Sequence, residues 1–301
     1  MNVSVCIATH RRPTRLALLL DDLAHQARPP QELVVVDNDP GASAEAVVAA
    51  RVARGLPFPV RYDVQPVKNI SLTRNHTVAL ARGDWIAFID DDERAPADWL
   101  ERLCAAVRDH AADGVLGPVV PVLPPEAPAW IRRGRFYDWA RQPSGQPVPL
   151  NRLRFGNLVL RASLLRGGAP FDPAYGLTGG EDGDLLTRLV QAGARIVWCD
   201  EAEVHEPVEA PRLALGWLLR RALRGGQDFA RHTVAGRYGP NGTGARVRLA
   251  LRAGAQLVAA SLLALLSLPF GRHHAVHWLT RATANLGKLT IFWGCHYQEY
   301  A

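Results

Sequence analysis

From Val3 to Thr9 the chain is apolar and rich in β-branched residues, and from Thr14 to Gln26 leucines recur at helical spacing. That pattern predicts strand, loop, helix. "ELVVVDND" then reads as a second buried strand ending in polar residues, "SAEAVVAARVA" as a second helix and "VRYDVQ" as a third, weaker strand. "SLTRNHTVALAR" predicts a helix stopped at Gly83, and "WIAFIDDD" the next strand. Strands alternating with helices imply a mostly parallel sheet flanked by helices on both faces, an α/β fold whose ligands bind beyond the carboxyl ends of the strands. Three polar clusters fall at those ends: His10, Arg11 and Arg12 after Thr9; Asp37, Asn38 and Asp39; and Asp90, Asp91 and Asp92. All three are expected on one rim.

The pattern loosens from Pro118 to Pro149, where prolines crowd "PVVPVLPPEAPAW" and "RQPSGQPVP". A loop of this length suits a lid or binding segment. "FGNLVLRASLL" returns to strand and helix, and "GGEDGDLLTRLVQAGARIVWCD" reads as a loop, a helix starting near Glu181 and a strand from Arg195. The tail from Pro211 differs, with a basic, aromatic-bearing helical pattern followed by a nearly all-apolar run from Ala253 to Phe270. That run is shorter than the ~20 residues of a bilayer crossing, and Gln256, Ser261, Ser267 and Pro269 interrupt it. With Arg246, Arg248 and Arg252 before it and Arg272 after it, it suits a helix or re-entrant hairpin lodged in an anionic leaflet. A buried helix of the soluble fold, or an oligomer contact, is the other reading.

Composition changes the picture little. At 301 residues and 48% hydrophobic, the chain can build one large domain, or one domain with a helical appendage. A net charge of +6 fits nucleotides, nucleic acid or acidic lipid without choosing among them, and arginines on exposed helix faces would produce it with no partner at all. Nucleic acid ranks low, because aromatic residues are only 7% and no nucleic-acid module is recognisable. Cys6, Cys104, Cys199 and Cys295 form no C-x-x-C pair, which excludes a zinc module or disulfide framework and fits a reduced, cytosolic setting. "VSVCIAT" has no signal-peptide features around it, so export of the amino-terminal part is not expected.

Three adjacent carboxylates repel, which raises their pKa values unless a cation neutralises them. A divalent metal shared with a diphosphate is one solution for Asp90 to Asp92. A solvated acidic turn capping the helix around Asp98 to Val107 is another. Arg74 and Asn75 on the preceding helix, with Lys68 and Asn69 before it, suit phosphate or ribose. Asp37 and Asp39 suit a base or ribose, although each of these residues is also a common turn former.

The order "VSVCIATHRRP", "VVVDND", "NISLTRNHTVALARGDWIAFIDDDE", "FGN", "GGEDGDLLTRL" and "VWCDEAEVHE" closely resembles the inverting glycosyltransferases of family 2, with the GT-A nucleotide-diphospho-sugar transferase fold. Within that family it is most like bacterial exopolysaccharide, succinoglycan-type glucosyltransferases. The resemblance covers roughly residues 1–210, and implies a nucleotide-sugar-binding half over 1–117, an acceptor-binding half over 118–210 and a helical, membrane-associating tail over 211–301.

The resemblance also implies roles. Asp90 to Asp92 form the D-x-D element, with Asp92 and Asp90 reaching Mn²⁺ or Mg²⁺ and His205 as the third protein contact. Thr9, Arg11, Asp37, Asp39, Asn69, Arg74, Asp90 and Asp91 border the nucleotide sugar. Asp182 is the general base with Glu181 beside it, although "EDGD" read alone is a helix cap. Asn157 and Gly180 face the acceptor. Trp217, Arg220 and Arg221 meet a lipid pyrophosphate or headgroups, or else pack an amphipathic helix. His273, His274 and His277 are surface or interface residues.

The chemistry agrees with those roles. Departure of a nucleoside diphosphate builds negative charge that a metal and Arg74 can stabilise, while a carboxylate on the opposite face takes the acceptor hydroxyl's proton. The expected activity is transfer of one hexose from a nucleotide sugar, UDP-linked in the first instance. The acceptor is a saccharide or a polyprenyl-diphosphate-linked saccharide at the cytoplasmic face of the membrane, in envelope or exopolysaccharide synthesis. The Q-x-x-R-W motif of processive synthases is absent, which favours single-sugar addition. Two other classes share the sheet. A sugar-1-phosphate nucleotidyltransferase wants a glycine-rich basic loop where this chain has "ATHRRPTR", and a non-catalytic nucleotide-sugar or membrane-binding module does not need Asp182.

Overall fold

The computed structural model describes residues 1–298. Its chain divides into two compact units, the first formed by Met1–Val120 and Trp139–Glu206, the second by Pro121–Asp138 and the chain from Pro207 onward. The first half of the proline-rich stretch therefore groups with the tail.

The first unit is built on β1 (Val3–Thr9), β2 (Glu32–Asp37), β3 (Val60–Val64), β4 (Trp85–Ile89), β5 (Gly114–Leu116), β7 (Asn157–Arg161) and β8 (Ile196–Trp198), in the order β3-β2-β1-β4-β7-β5-β8. β1 to β4 run parallel, with Thr9 beside Asp37, as the strand and helix alternation predicts. β7 alone runs antiparallel, pairing Asn157 with Ile89, so its amino end arrives at the rim where the parallel strands end. β6 (Val119–Val122) and β9 (Val204–Pro207) form a separate two-stranded ribbon.

The period-2 alternation of the strands divides the core between the two sheet faces. Val3, Val5 and Ile7 pack with Leu16, Leu19, Leu20 and Leu23 of α1 (Pro13–Ala24), Val48 of α2 (Glu45–Ala53) and Leu100, Leu103 and Cys104 of α4 (Trp99–Asp109). Cys6, Ile86 and Phe88 pack on the other face with Val78 of α3 (Ile70–Leu80) and Leu185 and Leu186 of α6 (Glu181–Gln191). α3 ends short of Gly83, because the Arg82 amide donates to Glu32 and the Gly83 amide to Ser4 Oγ, drawing the chain onto the sheet. "RASLL" makes only a short 3-10 turn, Ala162–Leu164, where a helix was expected.

The second unit contains α5 (Ala129–Gly134), α7 (Leu215–Val234), α8 (Thr243–Leu266) and α9 (Arg272–Thr290). α9 packs along both α7 and α8. Backbone of Gly226 and Gly287 permits close contact between α7 and α9, since an added Cβ at either would meet the facing helix backbone at about 2 Å.

Candidate active site

β4 delivers Asp90 to Asp92 into a closed turn. The Glu93 amide donates to the Asp90 carbonyl at 3.1 Å, and Glu93 Oε2 accepts from the Asp90 amide at 3.0 Å. Thr9 at the end of β1 donates its hydroxyl to Asp91 Oδ2 at 2.7 Å, and Arg12 Nη1 bridges Asp91 Oδ1 and Asp92 Oδ2 at 3.1 and 2.9 Å. Asp91, Asp92 and Glu93 are 4, 8 and 3% exposed, so this is not a solvated turn, and α4 begins after Asp98 with no side-chain cap bond. Gly156 lets the next loop close over it: its φ is 108°, and a Cβ there would lie 2.7 Å from Glu93 Oε1.

Burial of so many carboxylates leaves negative charge incompletely matched. Burial pushes Asp91 up to about 6, against the pull of the Arg12 guanidinium, with Asp92 adding repulsion. Asp90, whose side chain keeps 46% exposure, is raised by partial desolvation and then by Asp92, Glu206 and Asp182, with Arg74 opposing. Glu93 is held well above the usual carboxylate range, first by burial and then by the Asp90 charge. Glu206 on β9 and Asp182 on α6 thus act on the same centre as the β4 turn.

Arg74 ties the two acidic motifs together. Asn69 caps α3 by accepting from the Leu72 amide, which sets the helix that carries Arg74. Its guanidinium donates to Glu181 Oε1 at 2.5 Å and to Asp90 Oδ1 at 3.3 Å, and lies 4.7 Å from the centre of the Phe155 ring. Glu181 is buried, whereas the Asp90 side chain is 46% exposed and faces the opening. Asp182 Oδ2 accepts from the Phe155 amide at 3.0 Å and Oδ1 from the Gly183 amide at 2.7 Å. Gly179 and Gly180 enter α6 at φ 80° and 94°, a turn that side-chain-bearing residues resist. Glu181, Asp182 and Asp184 fill the helix's first turn, where its dipole favours negative charge.

Other residues named from sequence take different places. Asp37 is fully buried and accepts from the amides of Asp39 and Ala44 and the hydroxyls of Ser43 and Tyr62, so it braces the β2 loop. Asp39 accepts from exposed Arg11 at 3.2 Å. Asn157, expected at the acceptor, is buried; its side chain accepts from Trp99 Nε1 and donates to the carbonyls of Pro118 and Ala202. His205 is zipped by its backbone to Arg94, and its half-exposed ring lies 3.7 Å from Glu203. Trp217, Arg220 and Arg221 belong to the second unit, where Trp217 stacks on Tyr137 at 5.8 Å and Arg221 lies over both rings. Sequence reasoning assigned no role to Arg12, Glu93 or Glu206. The available signals were the three-residue spacing from Asp90 to Glu93, which suits a turn lock, and the alternation that turns Glu206 opposite to His205.

The donor chemistry fits a divalent ion of the Mg²⁺ or Mn²⁺ kind. Carboxylate oxygens dominate, the donor type that hard divalent cations prefer. Among the described residues no three His, Cys, Asp or Glu side chains form a ready-made cage.

The chain resembles known proteins in both sequence and fold. Residues 4–164 match the model of glycosyl transferase family 2. The chain is 38% identical to the succinoglycan biosynthesis protein ExoM of Rhizobium meliloti, over 77% of this chain and 75% of that protein. It is 32% identical to the galactofuranosyltransferase GlfT1 of Mycobacterium tuberculosis, over 68% of this chain and 70% of that one. Among solved structures it resembles the mannosyltransferase PcManGT of Pyrobaculum calidifontis in complex with GDP-Man and Mn²⁺, with a TM-score of 0.63 and 18% identity over 97% of this chain and 87% of that one. It also resembles S. aureus TarS 1-349 in complex with UDP, with a TM-score of 0.55 and 17% identity over 99% and 93% of the two chains. Those two share its fold, and the match across more than half of its length shows that the chain belongs to glycosyl transferase family 2.

Proposed function

We propose that this glycosyltransferase moves a single hexose from a nucleotide sugar, UDP-linked by first preference, to a saccharide or polyprenyl-diphosphate-linked saccharide by inverting, metal-dependent displacement. The observation that carries the reading is the Arg74 bridge, which brings Asp90 of the β4 turn and Glu181 of the α6 motif to one guanidinium. Asp92 and Asp90 would hold Mn²⁺ or Mg²⁺, with His205 as a further contact in exchange for Glu203, and the bound ion would offset the charge of the departing diphosphate. Thr9, Arg11, Asp39 and Asp91 border the donor on this reading, with Asp37 and Asn69 shaping the loops that receive it.

Arg74 stabilises the leaving group, because its cation is desolvated and already aligned with Asp90. Asp182 takes the acceptor proton. Its carboxylate is oriented by the Phe155 and Gly183 amides in the first turn of α6. The likeness to ExoM supports a place in exopolysaccharide or envelope synthesis, and the apolar α8 supports work at the inner face of the cytoplasmic membrane. The separating experiment is Asp182→Asn. Stabilisation by the donor nucleotide should persist, while transfer falls roughly 10²–10⁴-fold, the usual contribution of a general base. Unchanged transfer would remove Asp182 from that role.

A further inference from the structure

α8 is long and apolar enough to cross a bilayer, with a mean hydropathy of 1.8 over its most apolar window. Its packing argues against crossing. It buries only a narrow stripe of Leu249, Ala253, Ala260 and Ala264, and α9 folds back along it after the turn at Leu268–Phe270. α9 carries Arg272, His273, His274, His277, Arg281 and Lys288. A crossing of α8 with α9 still attached would draw the charges of Arg281 and Lys288 toward hydrocarbon, where an ionised side chain is costly.

The opposite face of α8 presents Leu251, Val258, Leu262 and Leu266 at helical spacing, 55–71% exposed, and Phe270 at the turn is 75% exposed. At the other end of the hairpin Trp293 is 68% exposed, an aromatic suited to the headgroup boundary. From Phe229 to Gln298 the chain has no Asp or Glu, but carries seven arginines and Lys288. Arg246, Arg248 and Arg252 are exposed on the first half of α8 itself.

We infer that α8 docks lengthwise in the surface of an anionic leaflet, with the Leu251–Leu266 face and Phe270 immersed and α9 between it and the rest of the second unit. This deepens the membrane reading above, and rests on it only for the partner's identity. The face supplies apolar burial, and the acid-free surround supplies attraction to anionic headgroups. Each cation near the surface adds to that attraction, which falls off within a Debye length.

The test uses the full chain with exposed Cys295 changed to Ser and an environment-sensitive fluorophore on single cysteines at positions 251, 258, 262 and 266. It is mixed with phosphatidylglycerol/phosphatidylethanolamine vesicles or with phosphatidylcholine alone, and read with depth-graded quenchers. Lengthwise docking predicts one shallow depth, on the order of 5–10 Å, at all four positions, only with the anionic vesicles. Leu262→Glu with Leu266→Glu should abolish vesicle binding while leaving the melting temperature of the vesicle-free chain unchanged, both positions being exposed. A depth that increases steadily along the helix would establish crossing and overturn the inference. So would absence of vesicle binding by the folded chain, including the case where light scattering shows a second copy covering the face. None of these outcomes depends on transfer, so a failed donor assignment would leave the result intact.

Discussion

Among single residues, Arg74 has the greatest reach. Removing one partner of a buried ion pair costs far more than losing an exposed one, and loss of Arg74 leaves Glu181 buried without that cation. Arg74→Ala should therefore destabilise the fold by about 3 kcal/mol, and adding Glu181→Gln should recover part of that loss, as thermal or urea melts would show. Additive losses would mean the pair is not coupled. The residues legible in the sequence were those whose chemistry is concentrated in a short motif, such as Asp90 to Asp92 and Asp182. Asn157 was harder: an Asn beside a Gly at a strand start reads as an exposed polar residue, and only the approach of Trp99, Pro118 and Ala202 shows its side chain fully engaged inside. Arg12, Glu93 and Glu206 act through partners far away or turned by the backbone, which spacing along the chain encodes weakly.

At the level of elements, β1, β2 and β4 followed from periodicity because each is a continuous apolar run, and α1 because it buries one leucine face, whereas β3, with Arg61 and Asp63 among its five residues, carries a weaker signal. β5, with three residues, and β9, with alternating polar positions, lack that contrast. The entry to α6 is the element most sensitive to change. Gly180→Ala places a side chain at φ 94°, which costs about 1–2 kcal/mol and shifts the turn that aims Asp182. A lower melting temperature together with reduced turnover is expected. At the other end of the sheet, burial would raise Glu32, but hydrogen bonds from Ser4, the Arg82 amide and Arg61 outweigh it and hold its carboxyl below the usual range. A depressed folded pKa adds stability above the unfolded value of about 4.3, and that stability is lost as pH falls through the lower folded value. Glu32→Gln should thus lose about 1–3 kcal/mol at neutral pH, and the gap from the parent protein should close in melts below pH 4. A gap that persists in acid would contradict it.

For the whole molecule, the sheet brings the ends of β1, β2 and β4 and the start of β7 to one rim, with Glu181 and Asp182 added by α6 and Glu206 by β9. That is why a chemistry distributed from residue 9 to residue 206 becomes one centre. Crowded carboxylates define it, and on the proposed reading a divalent ion and a nucleotide diphosphate complete it together. The most direct measurement is the melting temperature of the full chain against a panel of nucleotide sugars, with Mn²⁺ and with chelator, in the parent protein and in Asp92→Asn. At about 100 times its dissociation constant a true donor adds ~2.7 kcal/mol. The account predicts that gain for at least one nucleotide sugar, with the metal present and Asp92 intact. Stabilisation that is equal in chelator, or the same in Asp92→Asn, would contradict it, as would no stabilisation by any donor.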